Sequence, residues 1–135
     1  LRSLNSLLVL RGRAGAVTVD LAEICLDSGR VTLYKWGAAP SWLLRSGGTE
    51  KIGTTMPPPG LSVTEGRETV ERLSLRRGEV LIMVSDGVEV EGIQRRIGEI
   101  WELPPGEVAA RILEQGGGEP EDDATVAAVR LYPST

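Results

Sequence analysis

Histidine and phenylalanine are absent from this sequence, and cysteine occurs only once. Without histidine, the chain cannot supply a Ser-His-Asp triad, a histidine general base or a histidine-ligated zinc site. The single Cys25 cannot form an internal disulfide, which is consistent with a reducing compartment. Because Cys25 lies within an apolar run, we expect a buried and unreactive thiol rather than a nucleophile.

Aromatic residues make up 4% of the chain, so the core must be built from leucine, valine, isoleucine and alanine. A net charge of −4 argues against a nucleic-acid surface, which normally has a basic face. No apolar run is long enough to span a membrane, and no signal-peptide pattern opens the chain. These absences favour a cytoplasmic protein, and the 135 residues fit one domain covering 1–135.

One stretch, VLIMVSDGVEVEG at residues 80–92, organises the interpretation of the chain. Its first five residues are apolar and rich in β-branched side chains, which is typical of a strand buried on both faces. The strand ends at Ser85-Asp86-Gly87, so Asp86 would stand where a loop begins. Such a carboxylate can be held rigidly for function, although an Asp-Gly pair is also a common turn.

The remaining pattern predicts an α+β domain, mainly of antiparallel sheet with helices packed on its face. A hairpin is expected from residues 16–26 and 31–36, followed by strands at 41–45, 49–52 and 68–75. The turn at residues 76–79 should form another hairpin with the 80–84 strand. Helices are expected at residues 1–10, 93–100 and 107–115, a proline-rich loop at 53–66, and a last buried strand at 124–131.

A second acidic group, Asp122 and Asp123, precedes the last strand. If that strand lies antiparallel beside the 80–84 strand, its start coincides with the end that carries Asp86. Converging carboxylates repel each other unless a cation neutralises them, and oxygen-rich clusters suit Mg²⁺ or Mn²⁺. A solvated acidic loop is the alternative interpretation.

Three segments, read in order, resemble the C-terminal portion of a type 2C (PPM-type, metal-dependent) protein serine/threonine phosphatase domain. They are TVDLAEICLDSGRVTLYKWGAAPSWLLR, VLIMVSDGVEV and EDDATVAAVRL. The nearest branch is the bacterial one represented by stage II sporulation protein E and by the phosphatases of sigma-factor partner switching. The resemblance covers roughly residues 1–132, and it implies a partial α-β-β-α sandwich.

The resemblance implies that Asp86 and Asp122 are metal ligands, in a site that holds two Mn²⁺ or Mg²⁺ ions in the complete domain. Asp123 would lie next to the ligands, and Gly87 would let the backbone leave the strand beside them. Asp20 has no counterpart among the family's ligands. The family's Asp-Gly-x-Gly motif, whose aspartate bridges the metals, has no match here, so we expect the N-terminal part of the domain to be absent from this chain.

By resemblance, the parent protein would hydrolyse phosphoserine or phosphothreonine with a metal-bound hydroxide. The lack of histidine agrees with that, and Cys25 to Arg30 is one residue short of the Cys-x5-Arg loop of cysteine phosphatases. The substrate would be a phosphorylated regulator such as an anti-sigma factor antagonist. The parent could be anchored to a membrane through a preceding region.

Two alternatives remain open. The chain could be a non-catalytic, phosphatase-like module for protein interaction or homodimer formation, or an unrelated α+β domain with chance acidic turns. An Asp-Gly-x-Gly motif upstream in the reading frame would favour catalysis, and a start codon near Leu1 would favour the module.

Overall fold

The computed structural model describes residues 18–53, 69–117 and 123–132. Three strands form one antiparallel sheet in the order β1-β2-β5. They are β1 (Val19–Ile24), β2 (Arg30–Trp36) and β5 (Thr69–Ser74). The hairpin expected from the first two segments is confirmed, with Asp20 directly opposite Lys35.

Four strands form a second antiparallel sheet in the order β4-β3-β6-β7. They are β3 (Ser41–Arg45), β4 (Gly48–Ile52), β6 (Val80–Val84) and β7 (Val126–Arg130). The described helices are a 3-10 turn (Glu91–Ile93), α1 (Gln94–Glu99) and α2 (Pro105–Gly116). Proline at the start of α2 suits a position whose N–H has no helical partner.

The uninterrupted apolar run of β6 is explained by cores on both of its faces. Leu81 points into a core shared by the two sheets, together with Val31, Leu33 and Leu43. Val80, Ile82 and Val84 point into the other core, beneath the helices. Full burial of each such side chain contributes about 1.5–3 kcal/mol, so β6 stabilises both interfaces of the fold.

Helix α2 covers the second sheet through Val108 and Ile112, which lie one turn apart on its buried face. The described layers therefore run from the β1-β2-β5 sheet through the β4-β3-β6-β7 sheet to the helices. This arrangement confirms the α+β class with two antiparallel sheets. Within the described residues, no helix is long and apolar enough to cross a membrane.

The prediction that residues 68–75 and 80–84 form a hairpin was wrong. Strand β5 pairs with β2, whereas β6 lies between β3 and β7 in the other sheet. The turn between them crosses from one sheet to the other, with Gly78 at a φ of 87°. The physical reason is burial: β6 is apolar on both faces, so it takes an interior place between two layers.

The expectation that Cys25 is buried was also wrong, since β1 ends one residue earlier and its thiol is exposed. The sequence pattern did not reveal that the strand ends before this residue. The helix predicted at residues 1–10 and most of the proline-rich loop lie outside the described residues.

Candidate functional site

The pairing of β6 with β7 brings Asp86 and Asp123 to one end of the second sheet. The strands are antiparallel, with Val84 opposite Val126, so the end of β6 meets the start of β7. The Ser85 amide donates to the Thr125 carbonyl at 3.0 Å. The Thr125 amide donates to Ser85 Oγ at 2.9 Å. These two bonds hold the chain before Asp86 against the chain after Asp123.

Gly87 lies against the segment that enters β7. A Cβ placed on Gly87 would lie 2.6 Å from the Asp123 carbonyl oxygen, which is closer than real Cβ atoms approach. Any larger residue would push the two acidic segments apart. Gly87 therefore allows two backbone segments to approach each other closely, in addition to forming a turn.

The structure locates two of the three predicted acidic residues. Asp86 and Asp123 are exposed at the joined strand ends, and neither forms an ion pair with another described residue. Asp122 lies outside the described residues. Among the residues with described positions, no three carboxylate or cysteine side chains are grouped as a complete metal site would require.

Asp86 lines a cavity of about 330 Å³ at this end of the molecule. The walls come from both sheets: the start of β1, the turn after β2, the end of β6 and the start of β7. The lining residues are Thr18, Asp20, Gly37, Ala38, Ala39, Met83, Val84, Ser85, Asp86, Thr125 and Ala127. The small side chains of the turn leave this space open beside the carboxylate of Asp86.

A buried ion pair in the cavity wall was missed by the sequence analysis. Lys35 is 1% exposed, and its Nζ lies 2.8 Å from Asp20 Oδ2. The same ammonium donates to the Ala39 carbonyl at 2.7 Å. A signal for its burial was present in the sequence. Side chains two residues apart on a strand point to the same face, so Lys35 lies on the face of the buried Val31 and Leu33.

Comparison with known proteins agrees with this architecture. The family model for stage II sporulation protein E (SpoIIE) matches residues 1–132. A search of curated proteins gave no match. The phosphatase domain of SpoIIE from Bacillus subtilis, in crystals presoaked with Mn, is 28% identical, with a TM-score of 0.70 over 99% of this chain and 65% of that one.

More distant structures share the fold alone. The catalytic domain of the serine/threonine phosphatase PstP, in complex with 2 manganese ions, is 21% identical, with a TM-score of 0.71 over 94% of this chain and 66% of that one. A Mycobacterium tuberculosis structure with RsbU and RsbW domains is 17% identical, with a TM-score of 0.75 over 96% of this chain and 41% of that one.

The chain thus spans less than two thirds of the length of each of these three structures. Its two antiparallel sheets and the helices beside them have the PP2C phosphatase fold, the class to which the SpoIIE domain is assigned. Because the family model covers almost the whole sequence, the chain belongs to the stage II sporulation protein E (SpoIIE) family.

Proposed function

We propose that the protein acts as a metal-dependent protein serine/threonine phosphatase, with Asp86 and Asp122 as cation ligands. The observation that supports the proposal is the β6–β7 pairing, in which the end of β6 before Asp86 adjoins residues 123–125 before β7. The cavity at this point opens next to Asp86 and has room for a phosphoryl group and its cation.

The donor chemistry fits a hard divalent cation. Asp86 is an exposed carboxylate without an ion-pair partner among the described residues, and Gly87 allows a second oxygen-bearing segment to approach it closely. Carboxylate and carbonyl oxygens are the ligands preferred by Mg²⁺ and Mn²⁺. The described part of the chain therefore supports one edge of such a site.

A divalent cation held by Asp86 and Asp122 would supply a Lewis acid that activates water and offsets phosphate charge. The chain's own residues hold that edge in place. Ser85 and Thr125 fasten the two strand ends through their paired hydrogen bonds. Ala38 and Ala39 line the same cavity from the side of the first sheet.

We further propose that the substrate is a phosphoserine or phosphothreonine of a regulatory protein, such as an anti-sigma factor antagonist. The family assignment supports this choice, together with the likeness to a structure that contains RsbU and RsbW domains. We propose in addition that the protein can form a homodimer. The described residues do not test this point.

The test is hydrolysis of a phosphothreonine peptide and of a phosphorylated regulator by the protein at its full encoded length, with and without Mn²⁺. Asp86→Asn and Asp122→Asn should each lower kcat/KM at least a hundredfold, because each removes a charged ligand. Asp27→Asn is the matched control, since this exposed aspartate in the β1–β2 turn lies outside the cavity.

Mn²⁺ should also raise the melting temperature of the wild type, because a ligand that binds only the folded state stabilises it. Neither ligand variant should respond in this way. If the wild type neither binds Mn²⁺ nor hydrolyses either substrate, the proposal is contradicted, and the non-catalytic interaction module becomes the better interpretation.

A further inference from the structure

The Lys35–Asp20 ion pair is the most deeply buried charged contact among the described residues. Lys35 lies on the inward face of β2, on the side of Val31 and Leu33, and is 1% exposed. Its Nζ binds Asp20 Oδ2 at 2.8 Å and the Ala39 carbonyl at 2.7 Å. One lysine therefore joins β1, β2 and the turn after β2.

Stability alone does not explain this pair. Taking two charges out of water costs several kcal/mol per ion, and replacement by apolar residues is often neutral or stabilising. The inward face of β2 is otherwise apolar at Val31 and Leu33, so an apolar residue at position 35 would suit its neighbours. The burial of the pair is therefore weak evidence for a stabilising role.

The local backbone is adapted to this lysine. Gly53 has a φ of 92°, and a Cβ there would lie 2.9 Å from Lys35 Cδ. The lysine stem therefore passes against a residue that has no side chain. Gly37, at a φ of 63°, turns the chain out of β2 and brings the Ala39 carbonyl back to the ammonium.

The contacts of Lys35 lie in the wall of the Asp86 cavity. Asp20 and the turn residues 37–39 line the cavity on the side of the first sheet, while Asp86 lines it from the second sheet. Asp20 Oδ1 is buried and accepts no hydrogen bond from the described residues. The ion pair thus joins two parts of the same wall, Asp20 of β1 and the turn after β2.

We propose that Lys35 and Asp20 are positioning residues for the reaction, an inference that rests on the proposed phosphatase function. Lys35 holds the turn of residues 37–40 in place as the wall that faces Asp86. Asp20 neutralises the buried ammonium, so the wall adds no net positive charge beside the proposed cation site. Neither residue needs to contact the reacting atoms to act in this way.

The decisive variant is Lys35→Met combined with Asp20→Leu, which removes one positive and one negative charge. The comparison variant is Arg45→Met combined with Glu50→Leu, which removes the exposed Arg45–Glu50 ion pair at the far end of β3 together with the 3.8 Å contact between Arg45 and Glu79. Both double variants leave the net charge unchanged, so a difference between them reflects the location of the pair.

Three measurements separate positioning from a structural role: the melting temperature, the NMR order parameters of the Ala38 and Ala39 amides, and kcat and KM with Mn²⁺. We expect a melting temperature close to that of the wild type, and order parameters that fall from about 0.85 to below about 0.6. We also expect kcat to fall at least tenfold with less than a threefold change in KM. The control pair should leave the order parameters, kcat and KM unchanged.

A stable Lys35→Met/Asp20→Leu variant with a rigid turn and wild-type kcat would overturn the proposal. If that variant fails to fold, Asp20→Asn decides, because Lys35 can still donate to Asn and to the Ala39 carbonyl. The turn should then stay ordered, and its loss of order would contradict the proposal. Absence of hydrolysis by the wild type would contradict only the proposed function, since the order parameters still report on the turn.

Discussion

Gly87 and Asp123 meet backbone to backbone at the joined ends of β6 and β7. A Cβ on Gly87 would come within 2.6 Å of the Asp123 carbonyl oxygen. We therefore expect Gly87→Ala to lower the free energy of unfolding by about 1–3 kcal/mol, the usual cost of forcing extra volume into a packed site. Urea denaturation would measure this change.

Gly98→Ala is the matched control for that substitution. Gly98 lies within α1, and a Cβ there would meet no atom within 4 Å. Alanine is favoured over glycine in a helix by about 0.8–1.0 kcal/mol, so this variant should be as stable as the wild type or more stable. Equal stabilities of the two alanine variants would contradict the close approach at Gly87.

The hydroxyl of Ser85 fastens the segment that follows Asp123, since it accepts the Thr125 amide at 2.9 Å. Ser85→Ala should cost about 1 kcal/mol, the typical net value of one hydrogen bond. The variant should also bind Mn²⁺ more weakly, because the segment after Asp123 loses its hydrogen bond to the Ser85 side chain. Ser46→Ala, at an exposed turn position, should change neither quantity in calorimetric titration and thermal unfolding. An unchanged Mn²⁺ affinity in Ser85→Ala would show that this bond does not position the ligands.

The two faces of β6 should respond separately to truncation. Leu81→Ala removes a side chain between the sheets, and Ile82→Ala removes one beneath the helices. Each should lower the free energy of unfolding by about 2–5 kcal/mol, because both sites are fully enclosed. Cys25→Ala, at an exposed position, should cost far less in the same urea titration. A small loss at only one of the two β6 positions would mean that the corresponding core is not closed.

Cys25 should react faster with iodoacetamide than an unstructured cysteine does. A hydrogen bond from the Ser28 side chain, assisted by the Ser28 backbone, lowers the pKa of the exposed Cys25 thiol. More of the nucleophilic thiolate is then present below the ordinary pKa of a thiol. Ser28→Ala should move the midpoint of the rate–pH profile upward, and Ser74→Ala, at another exposed position, should leave it in place. Identical midpoints for the Ser28 variant and the wild type would contradict this assignment.

The sequence alone determined the strands, because each carries a local signal. β-branched enrichment indicated β1, a continuous β-branched run indicated β6, and the prolines before an apolar stripe of Val108, Ile112 and Leu113 indicated α2. The order of the motifs then indicated the family, which the match over residues 1–132 confirms. The acidic residues at the ends of β6 and β7 were likewise visible as a pattern before any pairing was known.

Strand pairing and the contacts of each side chain depend on long-range packing, which local sequence signals do not specify. The turn at residues 76–79 has the same local chemistry whether it closes a hairpin or crosses between sheets, and burial of β6 on both faces selects the crossing. The same holds for Lys35, because its alternation with Val31 and Leu33 is visible in the sequence but does not identify its partners. Asp20 meets it through the β1–β2 pairing, and the Ala39 carbonyl meets it through the turn at Gly37.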